Sequence, residues 1–273
     1  MKNTIIPAVL TLLMAISLIA GCSKSNDSSY SDSGNESGQG GSMARFTIAG
    51  DYLYTVDHSD LKVISLETPS KPDYLKKVSV GFDIETIFSR GDQLLMGAQS
   101  GMYIYDITRP EFPQRLSKTV HITSCDPVVA DDRYAYVTLN NASVGCNRGV
   151  NALEIYDISN PEYPALVKRF VGNELNLSSP KGLGIDGEKL FLCDGGLKVY
   201  DVSDPEKPVW IDDTTAIPQV KGADAYDVIP MDGTLLMIGS DGFYQFDYSE
   251  YTGQPNEKVL KFLSKIEVKG GKR

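Results

Sequence analysis

The most regular feature of the chain is a repeated alternation of short apolar runs with Gly, Asp and Pro. In residues 186–208, Asp-Gly precedes the apolar run 190–193, and Asp-Gly-Gly separates that run from a second one at 197–199. Tyr-Asp then leads into Pro205 and Pro208. Short apolar runs bounded by such turn residues are typical of β-strands, whereas a helix would show apolar positions three and four apart. The pattern predicts a β-hairpin followed by a bend.

The same pattern occurs five times along the chain. Its first turn is seen at Gly50-Asp51, Gly91-Asp92, Asp131-Asp132, Asp186-Gly187 and Asp232-Gly233. Four of the units continue into a Pro-x-x-Pro bend, and the bends recur roughly every 40 to 50 residues, which is the period of propeller blades. One further strand is expected after each bend and one before each first turn. The sequence therefore predicts an all-β fold, a five-bladed β-propeller with four strands per blade.

A family resemblance supports this prediction. The run Leu-Lys-Val-Tyr-Asp-Val-Ser-Asp-Pro at 197–205, with its relatives at 61–69, 102–110, 153–161 and 243–249, resembles the LVIVD repeat of bacterial surface propellers. The resemblance extends over essentially all of residues 43–273 and implies the propeller fold. It implies no particular chemistry, because that family has no general activity to carry over. The fifth unit lacks the prolines of the bend, so the edge of the last blade is less firmly predicted.

Residues 1–21 have the pattern of a lipoprotein signal peptide. Lys2 precedes an apolar stretch of about 15 residues, shorter than the ~20 that a permanent membrane-spanning helix needs. The stretch ends in Leu-Ile-Ala-Gly-Cys at 18–22, which resembles the bacterial lipobox and implies cleavage before Cys22 and lipid attachment to it. Ser23 at the next position implies the outer membrane where the enterobacterial sorting rule holds. We therefore expect a protein anchored to the bacterial outer membrane by lipid, on a face that the sequence does not specify.

Residues 22–42 are predicted to be a flexible tether, with the folded domain at 43–273. The tether is rich in Ser and Gly and contains no Leu, Ile, Val, Phe or Trp, so it cannot bury enough apolar surface to offset its ordering entropy. The formal net charge is −10, and basic residues cluster only in the last dozen positions. This charge argues against nucleic acid as a partner. We expect a monomer whose partner, besides the membrane, is an envelope protein or a glycan.

The four cysteines fall into three groups. Cys22 is the predicted lipid attachment site. Cys125 and Cys146 belong to the third and longest unit, and in an oxidising envelope we expect a disulfide between them. Closing a loop of this length contributes roughly 3 kcal/mol in the chain-entropy model. Cys193 aligns with small residues on the second strand of its unit, which predicts a buried thiol.

One column of the repeat carries polar residues that suggest a site. It contains Ala44, Glu85, Asp126, Lys181 and Asp227. If the first strand of each blade is the innermost, these side chains meet at one mouth of the central channel, with Tyr226 on the same rim. Carboxylates converging there would favour a divalent cation or a polar ligand group. The alternative is that they bond to neighbouring blades and lock the ring.

The favoured interpretation is a non-catalytic binding or scaffold module for a protein or glycan, without a cofactor unless the channel mouth holds a cation. The two histidines, His58 and His121, do not supply a catalytic triad or a metal site from their sequence positions. The alternative is an enzyme with a polar or metal site at the channel mouth, which rests on analogy with other propellers. A purely structural envelope component is the third interpretation.

Overall fold

The computed structural model describes residues 40–120, 127–141, 150–254 and 257–268. Within these residues, twenty strands form five four-stranded antiparallel sheets, which confirms the five-bladed propeller with four strands per blade. Two short 3₁₀ turns lie at Gly172–Glu174 and Pro218–Val220. None of the described segments forms a helix with the length and apolar character of a membrane span. The signal peptide, Cys22, the tether up to residue 39, Cys125, Asp126 and Cys146 lie outside the described residues.

Each blade consists of four consecutive strands. Blades one and two contain β1 (Phe46–Ala49), β2 (Tyr52–Val56), β3 (Asp60–Ser65), β4 (Asp73–Ser79), β5 (Ile84–Arg90), β6 (Gln93–Ala98), β7 (Gly101–Asp106) and β8 (Gln114–Val120). Blade three contains β9 (Val128–Ala130), β10 (Tyr134–Leu139), β11 (Ala152–Asp157) and β12 (Ala165–Val171). Blades four and five contain β13 (Leu183–Asp186), β14 (Lys189–Cys193), β15 (Leu197–Asp201), β16 (Val209–Asp213), β17 (Ala225–Met231), β18 (Thr234–Gly239), β19 (Gly242–Asp247) and β20 (Lys261–Glu267).

The first turns of blades two and four are fixed by backbone geometry. Gly91 and Gly187 have φ values of +49° and +54°, a left-handed conformation that costs glycine little and other residues more. These turns close two-residue hairpins, so they also set the register in which the first and second strands of their blades pair. The Gly-Asp and Asp-Gly pairs seen in the sequence thus have a conformational cause.

A β-bulge recurs in all five blades between the third and fourth strands. The extra residue always belongs to the outer, fourth strand and is always aliphatic: Leu75, Leu116, Val167, Ile211 and Leu263. A bulge bends its strand and increases the local twist. The outermost strand of every blade is therefore bent at the same point of the repeat.

The core lies between adjacent blades. Four apolar clusters join blade one to two, two to three, three to four, and four to five. Tyr54, Tyr136 and Phe191 are fully buried in three of them. Within the described part of the chain, no such cluster joins blade five to blade one. That seam depends on other contacts.

The first strand of each blade is the innermost. β1 contacts β5, β5 contacts β9, β9 contacts β13, and β13 contacts β17. Cys193, on the second strand of blade four, is a fully buried free thiol, as predicted. Its burial raises the pKa of the thiol well above the usual value, because an apolar environment disfavours the thiolate.

Candidate functional site

Two of the five candidate residues at the channel mouth share one cavity. Glu85 and Lys181 line a space of about 330 Å³, together with Arg45, Asn140 and neighbouring apolar groups. Arg45 precedes β1, Glu85 lies in β5, Asn140 follows β10 and Lys181 precedes β13, so the lining comes from four blades. The cavity mixes both signs of charge with an amide.

Lys181 has partners on the neighbouring blade. Its Nζ donates to Oδ2 of Asp224 at 2.5 Å and lies 4.8 Å from the centroid of the Tyr226 ring. A cation over an aromatic face is attracted by the ring quadrupole. Tyr226 therefore lies beside Lys181, and the ammonium charge is balanced by Asp224.

Glu85 occupies an irregular position in its strand. The register between β5 and β6 shifts across it, so it is the extra residue of a bulge. Burial raises the pKa of the Glu85 carboxyl, although Nε2 of Gln99 donates to its Oε1 at 3.4 Å and Arg45 lies near enough to oppose the shift. Bulges often redirect a side chain toward a site, and here the carboxyl group lies in the cavity.

Asp227 is bonded to the segment that precedes β1. Its Oδ1 accepts hydrogen bonds from the Ser42 hydroxyl at 2.9 Å and from the Val228 amide at 3.0 Å, and its Oδ2 accepts one from the Met43 amide at 3.1 Å. A Cβ atom at Gly41 would lie only 2.1 Å from the carboxylate. Burial raises the pKa of this aspartate. These contacts correspond to the ring-locking alternative of the sequence analysis.

Ser42 connects three parts of the ring. It is fully buried, although it is the last residue of the predicted tether. Its hydroxyl donates to Asp227 of blade five, and its Oγ accepts the Leu183 amide of blade four at 2.8 Å. In the described ranges, Ser42 and Met43 thus supply polar contacts at the seam between the first and last blades.

Asp126, another member of the column, lies outside the described residues, and so do the cysteines of the predicted disulfide. Among the residues whose positions are given, no group of three or more His, Cys, Asp or Glu side chains could hold a metal ion. Arg45, Asn140 and Asp224 complete the surroundings of Glu85 and Lys181 and were not predicted from the sequence. They fall outside the repeat column, so alignment of the units could not find them.

A second depression lies on blade four and was also missed. It has a volume of about 510 Å³ and runs between the connection 172–176 and the outer strand β16. Its lining includes Leu175, Tyr200, Pro208 and Trp210. Trp210 is the only tryptophan of the chain and is 61% exposed. We call this depression the blade-four groove.

A comparison of the sequence with known families identifies the repeat of blade three. Residues 125–171 match the LVIVD repeat. This range runs from the start of the third unit to the end of β12, so one blade corresponds to one LVIVD repeat. A search of curated proteins found no match.

Solved structures share the fold at low sequence identity. A functionally unknown protein from Desulfotomaculum acetoxidans is 9% identical with a TM-score of 0.61, over 84% of this chain and 68% of that one. The periplasmic gluconolactonase PpgL of Pseudomonas aeruginosa is 15% identical with a TM-score of 0.56, over 80% and 68%. A protein from Lactobacillus plantarum is 11% identical with a TM-score of 0.57, over 79% and 67%. These similarities show the propeller fold alone.

Proposed function

We propose that this protein is a lipid-anchored binding module of the bacterial outer membrane that uses its propeller to hold an envelope glycan or protein. The lipobox-like residues 18–22 and the Ser/Gly-rich segment after them support the anchor. The proposal that the module is not an enzyme rests on the hydrogen bonding of Asp227. Both carboxylate oxygens of this residue accept hydrogen bonds from the chain itself. The proposed protein acts as a monomer and does not bind nucleic acid.

The Asp227 contacts bear on function because a carboxylate that ligates a divalent cation must offer its oxygens to the metal. Here the Ser42 hydroxyl and the Met43 amide occupy them. Arg45 lines the neighbouring cavity, and its positive charge opposes a cation there. The channel mouth is therefore better suited to holding the ring together than to metal-assisted catalysis.

The anchor is tested with the variant Cys22→Ser. Cells are fed an alkyne fatty acid, and the protein is then isolated and examined for label and for membrane association. We expect label and membrane association in the wild type and neither in the variant, because the thiol is the acceptor of the lipid. Ser23→Ala is the control, and it should remain labelled. A labelled Cys22→Ser protein would overturn the anchor.

Catalysis at the channel mouth is the second candidate. The raised pKa of Glu85, within a cavity that also contains Lys181 and Arg45, favours it, because perturbed carboxyls in clefts are candidate acids and bases. The fold shared with a gluconolactonase suggests a lactone as the substrate to try. The binding proposal expects no turnover of glucono-δ-lactone, with or without Ca²⁺ or Mg²⁺. Hydrolysis that is lost in Glu85→Gln would replace the binding proposal with an enzyme.

A further inference from the structure

The blade-four groove presents an aromatic face that is held in place. Trp210 is 61% exposed, and its indole Nε1–H donates to the carbonyl of Asp212 at 2.8 Å. This hydrogen bond fixes the orientation of the ring and satisfies its only polar group within the protein. A side chain that is oriented beforehand loses little rotamer freedom when a ligand stacks on it. The indole face is thus prepared for a flat apolar partner.

The connection 172–176, which lines the groove together with the indole, is also fixed. The Tyr200 hydroxyl donates to the Leu175 carbonyl at 2.8 Å, and Nζ of Lys198 donates to the Asn176 carbonyl at 2.6 Å. The Val171 amide donates to Oε2 of Glu174 at 2.9 Å. The connection 172–176 is therefore held by β15 of blade four at its end and by the last residue of β12 at its start. Ligand sites are usually formed in advance in this way.

The charged groups of the groove are engaged by the protein. Lys198 pairs with the buried Asp194 at 2.6 Å. Asp213 accepts hydrogen bonds from the Thr215 amide and hydroxyl at 2.8 Å and 2.5 Å. The side chains of Asn173 and Asn176 are exposed at the rim. The groove consequently offers an aromatic face and amide groups, and the carboxylates of Glu174 and Asp213 in its lining disfavour an anionic ligand.

This combination matches the chemistry of a neutral sugar. The polarised C–H groups on one face of a pyranose ring are attracted to the electron-rich face of an indole. The hydroxyls at the edge of the ring pair with amides, which both donate and accept hydrogen bonds. A volume of about 510 Å³ lies within the range of roughly 300–1,000 Å³ that ligand pockets occupy. We propose that the blade-four groove binds a neutral saccharide chain, with Trp210 as the stacking platform.

A proline-rich peptide is the competing occupant, because such peptides also dock on aromatic grooves. They need aromatic pockets for successive prolines. In this groove Tyr200 is only 2% exposed, with its hydroxyl bonded to Leu175, so Trp210 supplies the open ring face. One stacking surface with amides beside it favours the saccharide.

The inference rests on the proposed function as a binding module, and the single tryptophan makes it measurable. The mature protein is titrated with cellotetraose, maltotetraose and the tetramer of N-acetylglucosamine while its fluorescence is recorded. At least one of these neutral tetrasaccharides is expected to give a saturable blue shift and protection of Trp210 from iodide quenching, because a stacked sugar excludes water from the indole.

Variants then locate the site by calorimetry with the tetrasaccharide that binds. Trp210→Ala should weaken binding at least tenfold, and Trp210→Phe should weaken it less. Asn176 has a φ of +52°, so Asn176→Gly removes its amide group without straining the backbone, and we expect a several-fold loss. Phe82→Ala is the control, since Phe82 is 83% exposed on the connection between blades one and two. This variant should bind like the wild type.

The outcomes separate the groove from the broader function. If the Trp210→Ala variant still binds the saccharide, the saccharide does not bind in the blade-four groove. The proposal that the protein is a binding module is then unaffected. A fluorescence response to a decaproline peptide, with none to the tetrasaccharides, overturns the saccharide in favour of a peptide. If the fluorescence of Trp210 responds to none of these ligands, the proposed binding site in the groove is wrong as well. If, in addition, the wild-type protein captures no envelope protein or polysaccharide in a pull-down, the proposed function fails with it.

Discussion

The hydroxyl of Ser42 donates a hydrogen bond of 2.9 Å to Oδ1 of Asp227, which lies 185 positions further along the chain. The apolar clusters of the described residues join four pairs of neighbouring blades and leave out the pair of blade five and blade one. Each sheet is built from consecutive strands, so no shared strand closes the ring. Ser42, Met43 and Asp227 form a polar latch at this seam.

Ser42→Ala tests the latch. The substitution removes one hydrogen bond from a carboxylate and leaves the buried Leu183 amide without its acceptor, so we expect a loss of about 2–4 kcal/mol in the free energy of unfolding. Urea unfolding measures it. Ser203→Ala, at an exposed serine in a bend, should change stability by less than about 0.5 kcal/mol. Equal effects of the two substitutions would rule out the latch.

The raised pKa of Asp227 predicts a pH dependence. Since the folded-state pKa lies above the unfolded one, the native protein binds more protons between the two values. Stability from this group is therefore present at low pH and is lost as the pH rises through the folded pKa. Asp227→Asn has no such titration. The stability of the variant relative to the wild type should rise with pH across this window and stay constant above it.

The wild type must be compared with the Asp227→Asn variant because other carboxyl groups change the pH dependence of stability in the opposite direction. The pKa of Asp241 is lowered by its bonds with Lys265 and Tyr244, and that of Asp157 by Ser159 and Arg133. Both contribute stability that is lost as the pH falls, in Asp227→Asn as in the wild type. Denaturant midpoints measured over the acid range provide the difference. If the difference in stability between the wild type and Asp227→Asn does not change with pH, the pKa of Asp227 is not raised in the folded protein.

A buried ion pair in blade three gives a third prediction. Glu154 is fully buried, Nε of Arg169 donates to its Oε1 at 2.5 Å, and the Tyr156 hydroxyl donates to its Oε2 at 2.5 Å. Arg169→Met should cost about 3 kcal/mol, because it leaves a buried carboxylate without its counter-charge. Adding Glu154→Leu should recover much of that loss. A double variant no more stable than Arg169→Met would contradict the pair as the cause.

Thiol counting tests the cysteine predictions. The raised pKa and full burial of Cys193 predict no reaction with Ellman's reagent in the native protein, because the reactive thiolate is disfavoured. Unfolding in guanidinium should expose this thiol. If Cys125 and Cys146 form a disulfide, the unfolded oxidised sample should contain two fewer thiols than the reduced one. Equal thiol counts in the oxidised and reduced samples would rule out the disulfide. If the native Cys193→Ser variant reacts rapidly with Ellman's reagent, the reactive thiol belongs to another cysteine.

Local features of the sequence were sufficient to predict the blades. A strand is expected after each Pro-x-x-Pro bend and before each first turn, and β12 and β5 occupy two of these positions. These predictions succeed because turn conformation and strand alternation are properties of neighbouring residues. The tether boundary was set on composition, which describes Ser42 as part of a flexible coil. Its burial depends on Asp227 and Leu183, which lie far away in the chain.

The blade-four groove could not be predicted from the sequence, for a different reason. The repeat alignment compares positions that all five units share, whereas the groove depends on residues 172–176, which link blade three to blade four. Trp210 occupies a position that is Tyr74 in blade one and Arg115 in blade two. The signal that could have found it is the placement of the single tryptophan on a polar, outward-facing strand.

The consecutive strands of each blade have a consequence for biosynthesis. A blade can complete its own ladder as soon as its last strand emerges from the ribosome or the secretion channel, and the next blade then packs on a finished neighbour. Sequence-local contacts of this kind favour rapid folding. The bonds of Ser42 and Met43 with Asp227 must wait for β17 of the fifth blade, so the start of the folded domain is fixed only after four blades have been made.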